Sequence, residues 1–193
     1  LGIIEHNEVY DAPLHAVLVA TDGDPCVEKN TFHRASHAAV AIKNGGKGTF
    51  TENIISESIS DGVEIISGGN PKLSRNHICR GMQSGVYIHG SRACGVLEGN
   101  DIEGNTLAGI LVEDCGDPTA RKNRIHSGKA NGVLVCRDGK GTFEDNDICS
   151  NKCAGIEITT GGAPLFTSNR IHSGLEHGVY CHDEGNGTFI TNH

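Results

Sequence analysis

Residues 141–174 read GTFEDNDICSNKCAGIEITTGGAPLFTSNRIHSG. They hold Asn146 and Asn169, 23 positions apart, each with Phe three residues before it and Ile two residues after. Working outward, Asn also stands at Asn7, Asn30, Asn53, Asn76, Asn100, Asn123 and Asn192, giving intervals of 23, 23, 23, 24, 23, 23, 23 and 23 residues along the chain. A fixed period of this length marks stacked structural units rather than one folded globule. Val9, Phe32, Ile55, Ile78, Ile102, Ile125, Ile148 and Ile171 follow the Asn column. Val27, Phe50, Leu73, Leu97, Ala120, Phe143, Phe166 and Phe189 precede it. Each unit therefore brackets its Asn with two inward side chains.

A third stretch carries Ala16, Ala39, Gly62, Gly85, Gly109, Gly132, Gly155 and Gly178. Apolar columns lie one and three places on, from Val17 and Val19 to Val179 and Cys181. Alternation at period two with β-branched residues is a strand signal, and no stretch reads as helix. A unit of 23 residues with about three short strands cannot bury its apolar face alone, but stacked units share a continuous core. The fold expected is all-β: a parallel β-helix solenoid of about eight coils, roughly 38 Å long at ~4.8 Å per coil. Identical Asn side chains one coil apart would bond in a ladder, and each Asn is expected to hold a left-handed corner. Gly23, Gly46, Gly69, Gly116, Gly139, Gly162 and Gly185, seven before the Asn, are expected at left-handed turns as well.

A longer period overlies the first. Pro25, Pro71, Pro118 and Pro164 alternate from coil to coil with Gly48, Gly95, Gly141 and Gly187, so the repeated unit is a pair of coils. Coil four alone has an extra residue, within Gly90 to Cys94, and replaces the turn glycine by Ala93.

Composition agrees with thin layers. Among 193 residues there are 27 Gly but only 5 Phe, 3 Tyr, 1 Met and no Trp. A formal charge of -8 argues against a dedicated nucleic-acid binder and against an anionic membrane surface, and no apolar run approaches the ~18 to 20 residues of a span. The basic string Arg121-Lys122-Asn123-Arg124 reads instead as one rung of alternating charge. Asp101, Arg124, Asp147 and Arg170 stack in one column, and Glu98, Arg121 and Glu144 in another. Gly45-Gly46-Lys47-Gly48-Thr49 lacks phosphate-loop spacing and is a repeat corner, while Asn186-Gly187-Thr188 is a glycosylation sequon that matters only in a secreted protein. The chain opens at Leu1 without Met, and neither end carries a polar cap. The expectation is a single β-helix domain over 1–193, a piece of a longer array, with end-to-end self-association of the isolated segment.

The strings GNPKLSRNHI (69–78), GDPTARKNRIHSGKANGVLV (116–135) and the stretch quoted first resemble right-handed β-helix repeats of carbohydrate-binding and sugar-hydrolysing proteins. They resemble most the β-helix array of F-box-only ubiquitin-ligase subunits. That resemblance implies protein recognition, with recruitment of degradation substrates. The F-box and the zinc-binding module of those subunits do not occur in this sequence, so no ligase activity is carried over. The expected function is a non-catalytic scaffold for a protein partner, with a carbohydrate-binding or carbohydrate-active β-helix as the alternative and an oligosaccharide as its ligand.

The outward columns of the third strand place Glu64, Tyr87, Leu111, Leu134, Glu157 and Tyr180 beside Ile66, His89, Glu113, Cys136, Thr159 and His182. Glu64 and Glu157 are four coils apart, about 19 Å at the inter-strand spacing, and Glu113 lies two coils from each in the other column. Glycoside hydrolysis needs two carboxyls within several ångströms, so no catalytic residue is assigned. Coil four departs most from the repeat, which points to Tyr87, His89, Arg92, Glu64 and Glu113 as a binding site, with Tyr180 and His182 as a second amphipathic pair.

Eight Cys show no CxxC. His126, Cys149 and His172 fall in one column, with Cys79 and His33 further down, and packing is the reading preferred there to metal. No cofactor and no metal are expected. Free buried thiols suit a reducing, intracellular compartment, cytoplasmic or nuclear, with an extracellular location as the alternative.

Overall fold

The computed structural model describes residues 2–193, which form 25 short strands in three parallel sheets of nine, eight and eight strands, with no helix among the described residues. Coil four shows the plan: Lys72–Ser74 lies in the first sheet, His77–Cys79 in the second and Val86–His89 in the third. Each strand pairs in register with its equivalents one coil away, Leu73 with Phe50 and Leu97, Ile78 with Ile55 and Ile102, Val86 with Val63 and Ile110. Such short strands persist because their inward residues, the central one in the first two sheets and the two flanking ones in the third, lie on the same residues of the next coil. Phe143 and Phe166 stack with ring centres 4.6 Å apart, and Phe166 and Phe189 follow at 5.2 Å.

The asparagine ladder is present. Asn123 Nδ2 donates to Asn146 Oδ1 at 2.9 Å and to the Leu97 carbonyl at 2.9 Å, while its own Oδ1 accepts the backbone N–H and the Nδ2 of Asn100. Every polar atom of this buried amide is used, so the column tolerates no other side chain at equal cost. The left-handed corner, however, belongs to the residue before the Asn: Lys29, Glu52, Arg75, Lys122 and Asp145 all have φ between 53° and 56°. The Asn itself is inside the turn, where its side chain can reach the coils on either side.

The glycines seven before the Asn also serve a different purpose from the one expected. The left-handed residues at that corner are the two preceding ones, such as Arg137 (φ 45°) and Asp138 (φ 60°). The glycine is required by close approach: a Cβ on Gly139 would lie 2.5 Å from the Val112 carbonyl oxygen, and one on Gly162 2.5 Å from that of Val135. In coil four the corner is one residue longer, Gly90 and Arg92 take the positive φ angles, and Ala93 is buried where the other coils have glycine.

The Pro–Gly alternation has a direct packing cause. Gly48 (φ 117°) lies against the Pro25 ring, where a Cβ would sit 3.2 Å from Cδ, and Gly141 (φ 126°) lies likewise against Pro118. Alternating charge is realised in part: Arg121 pairs with Glu98 at 3.1 Å and Arg170 with Asp147 at 2.9 Å. Asp101 instead pairs with histidines. All eight thiols are free. Cys79, Cys136 and Cys149 are buried, but Cys115 and Cys181 are exposed, so the thiols are not uniformly interior.

Candidate functional site

The third sheet presents its alternate residues outward, which puts Tyr87 and His89 side by side on one strand. Their rings stack at 4.0 Å and 13°. The strands on either side each send a carboxylate to this pair along the diagonal. His89 Nε2 lies 3.1 Å from Glu64 Oε1, and the Tyr87 hydroxyl donates to Glu113 Oε1. Structure thus brings together four of the five residues singled out around coil four.

Glu113 is only 3 % exposed, which for a carboxylate requires compensation. Arg137, one coil further on, supplies it through Nε at 3.1 Å and a second contact from Nη2 to the same oxygen, and the Cys136 thiol donates at 3.6 Å. Burial by itself would raise the Glu113 carboxyl, but the Arg137 and Tyr87 hydrogen bonds together outweigh it and hold the group below the usual carboxylate range. Burial, then the Glu113 hydrogen bond, push the Tyr87 hydroxyl well above an ordinary phenol, so it stays protonated. Burial first, with the Glu113 charge, raises the Cys136 thiol to about 11, which leaves it an unreactive thiol rather than a thiolate.

Arg92 stands apart. It is exposed and lines a corner groove with Lys47, Ser67 and Asn70, and among the described residues it makes no hydrogen bond or ion pair with Tyr87, His89, Glu64 or Glu113. The inserted residue moves the corner, not the flat face, so irregularity of the repeat and membership of the cluster are separate properties.

Tyr180 and His182 repeat the arrangement 93 residues on. Their rings stack at 4.3 Å, and His182 Nε2 lies 3.0 Å from Glu157 Oε1 as His89 lies from Glu64. Here the second carboxylate oxygen accepts from Asn131 Nδ2 at 2.6 Å, and His182 Nδ1 meets Asp183 at 2.9 Å. The Glu157 hydrogen bond, followed by that of Asp183, raises the His182 imidazole above its ordinary value. Arg137 and the Glu157–His182 contact were missed from sequence, because acids were compared only with other acids. The available signal is an offset: His33 and Glu8, His89 and Glu64, His126 and Asp101, His172 and Asp147, and His182 and Glu157 are all 25 residues apart and all in contact.

Stacked parallel coils of this period define a class. The chain belongs to the right handed beta helix region family, whose pattern matches residues 15–171. No curated protein matches the chain in sequence. Among solved structures it is similar to the A-module of Azotobacter vinelandii mannuronan C-5 epimerase AlgE4, with a TM-score of 0.84 at 15 % identity over 98 % of this chain and 59 % of that one. The AlgE6 A-module of the same organism superposes with a TM-score of 0.65 at 14 % identity over 98 % and 63 %. The periplasmic alginate epimerase AlgG gives 0.70 at 9 % identity over 90 % and 60 %. At these identities the likeness is one of fold, and this chain spans about six tenths of each of those proteins. All three are carbohydrate-active by name, and none is an F-box ubiquitin-ligase receptor, the family the sequence resembled most.

Proposed function

We propose that the outward face of the third sheet binds an oligosaccharide, with Tyr87 and His89 as its platform and Glu64 and Glu113 as the groups that fix them. The observation that carries this is the stacked Tyr87–His89 pair held between two carboxylates. Stacked rings offer a flat apolar surface to the CH face of a sugar, while their polar edges and the adjacent carboxylates meet its hydroxyls. Tyr180, His182 and Glu157 repeat the platform on the same face, about 19 Å away at four inter-strand spacings, so one extended chain lying along the rod touches both. Arg92, with Lys47 in the corner groove, suits the carboxylate of an acidic sugar unit. The alginate-epimerase likeness supports this reading; recruitment of a protein partner rests on the sequence resemblance alone.

A second reading, proton transfer on the bound sugar, is favoured by one observation. A Tyr hydroxyl and an imidazole, the two side-chain types that relay protons, stand side by side on one face. Titration of the chain with neutral and uronate oligosaccharides, mannuronan oligomers included, tests both. Tyr87→Ala and His89→Ala should each weaken binding at least tenfold. Deuterium entering the sugar from heavy water adds catalysis. Failure to bind any oligosaccharide, or binding indifferent to both substitutions, overturns the proposal in favour of protein recognition.

A further inference from the structure

A second cluster lies on a different face, the outward side of the second sheet, and plays no part in the surface just described. The strand Asp101–Glu103 presents two carboxylates on the same side, two residues apart. Among the described residues neither has a Lys or Arg nitrogen within salt-bridge distance, whereas most other paired acids along the rod find a cationic side chain, as in Asp11–Arg34, Glu52–Arg75 and Glu98–Arg121. Imidazoles approach instead from both sides. His77 Nε2, on the strand before, lies 3.1 Å from Glu103 Oε1 and 3.9 Å from Asp101 Oδ2. His126 Nε2, on the strand after, lies 2.9 Å from Asp101 Oδ1 and 3.9 Å from Glu103 Oε2. Cys79 completes the group: its Sγ, a ligand atom of His77 and a Glu103 oxygen all lie within 4.8 Å of one another.

We propose that His77, Cys79, Asp101 and Glu103 form a binding site for a borderline divalent transition cation such as Zn²⁺, with His126 as a positioning residue. Bonds of ~2.0 to 2.3 Å to a tetrahedral Zn²⁺ put its ligand atoms about 3.3 to 3.7 Å apart. The His77 contacts to Glu103 and Asp101, at 3.1 and 3.9 Å, straddle that range, while Cys79 Sγ lies within 4.8 Å of His77 and Glu103 and closes on the cation with Asp101. Two carboxylates without a cationic partner supply the charge. One imidazole and one thiol supply the softness that selects such a cation over Ca²⁺ or Mg²⁺. His126 holds one oxygen of Asp101 and leaves the other facing His77, which is how an outer hydrogen bond orients a metal-binding carboxylate. Cys79 is a buried thiol, so binding transfers its proton to solvent as the sulfur–metal bond forms.

A neighbouring group is a built-in comparison. Asp147, Cys149 and His172 hold equivalent positions three coils on, again within 4.8 Å of one another. There Arg170 Nε sits 2.9 Å from Asp147 and Arg124 Nε 3.9 Å from it, so a guanidinium already satisfies the carboxylate. The proposal therefore assigns the cation to the first group alone.

Co²⁺ titration of the chelator-treated chain, followed by optical absorption, reads the site directly. The expected result is one Co²⁺ per chain with a thiolate-to-metal charge-transfer band, displaced by Zn²⁺. Cys79→Ser should abolish the band and His77→Gln weaken binding at least tenfold. His126→Asn should weaken it about tenfold with the band retained, and Cys149→Ser should change nothing. Zn²⁺ should raise the melting temperature of the parent chain but not of the Cys79→Ser variant, which also shows that this variant folds. No charge-transfer band in the parent, a band that survives Cys79→Ser, or one lost in Cys149→Ser overturns the assignment.

Discussion

The two Glu–Tyr–His groups of the third sheet are the same three residue types at the same spacing, yet they are held differently. In the first, Tyr87 is anchored to a buried Glu113 that Arg137 neutralises. In the second, Tyr180 is 43 % exposed, leans toward His177 at 5.1 Å, and the fixed member is Glu157, bound by Asn131 and His182. The anchors of the first group, Glu113 and Arg137, come from the coils after it, whereas Val179–Cys181 is the terminal strand of the sheet and Glu157 is held from the coil before it by Asn131, so the same motif takes its properties from whichever neighbouring coils supply its partners.

The largest effect expected lies beneath both groups and sets the baseline for comparing them. Asn123→Val leaves two Asn100 N–H donors without their acceptor and takes one donor each from the Leu97 carbonyl and from Asn146 Oδ1, which keeps the backbone N–H of residue 123, and should cost roughly 3 kcal/mol or more in denaturant unfolding. A loss below about 1 kcal/mol would remove the ladder as the main polar support of the core.

Next comes the asymmetry of the carboxylates. Glu113→Ala removes the acceptor of a half-buried Tyr hydroxyl and should destabilise by about 1 to 3 kcal/mol. Glu157→Ala acts on groups that water reaches and should cost less than half as much. Equal losses would mean that the two groups are equivalent and that Arg137 contributes nothing to their difference. A smaller step in the same direction is expected from the phenols: about 1 kcal/mol for Tyr87→Phe and within about 0.5 kcal/mol of zero for Tyr180→Phe.

The smallest effect is in pH dependence. Because the folded His182 imidazole titrates above its ordinary 6.5, its protonated pairing contributes stability that is fully present below 6.5 and is lost as pH rises through the folded value. Glu113 has the opposite sign: its folded value is depressed, so its contribution is present above 4.5 and fades as pH falls through the folded value. NMR titration should place His182 above 6.5 and return it toward that value in Glu157→Gln. An unmoved resonance in that variant would transfer the cause to Asp183.

The coil number, the three sheets and the inward columns were legible because stacking demands the same side chain at the same place in every coil. Phe143 and Phe166 can stack only if each repeats the other. The corners were less legible. Asn tolerates a left-handed backbone, but the ladder needs its amide inside the turn, so Lys122 takes the strained angle and Asn123 the hydrogen bonds. Sequence spacing also could not say that Gly139 faces the Val112 carbonyl rather than a positive φ.

For the candidate sites, the sequence by itself determined which side chains face outward, since a strand alternates strictly, and so placed Tyr87, His89, Glu64 and Glu113 on one face. Only the tertiary structure decided which of them touch. Here the Tyr and His side chains lean along the diagonal, joining residues 25 or 26 apart, where the arginines pair straight across at 23. That lean joins Tyr87 to Glu113 and His89 to Glu64, and it draws Asp101 and Glu103 between two histidines, while Arg92, carried outward by a longer corner, stands apart from all of them.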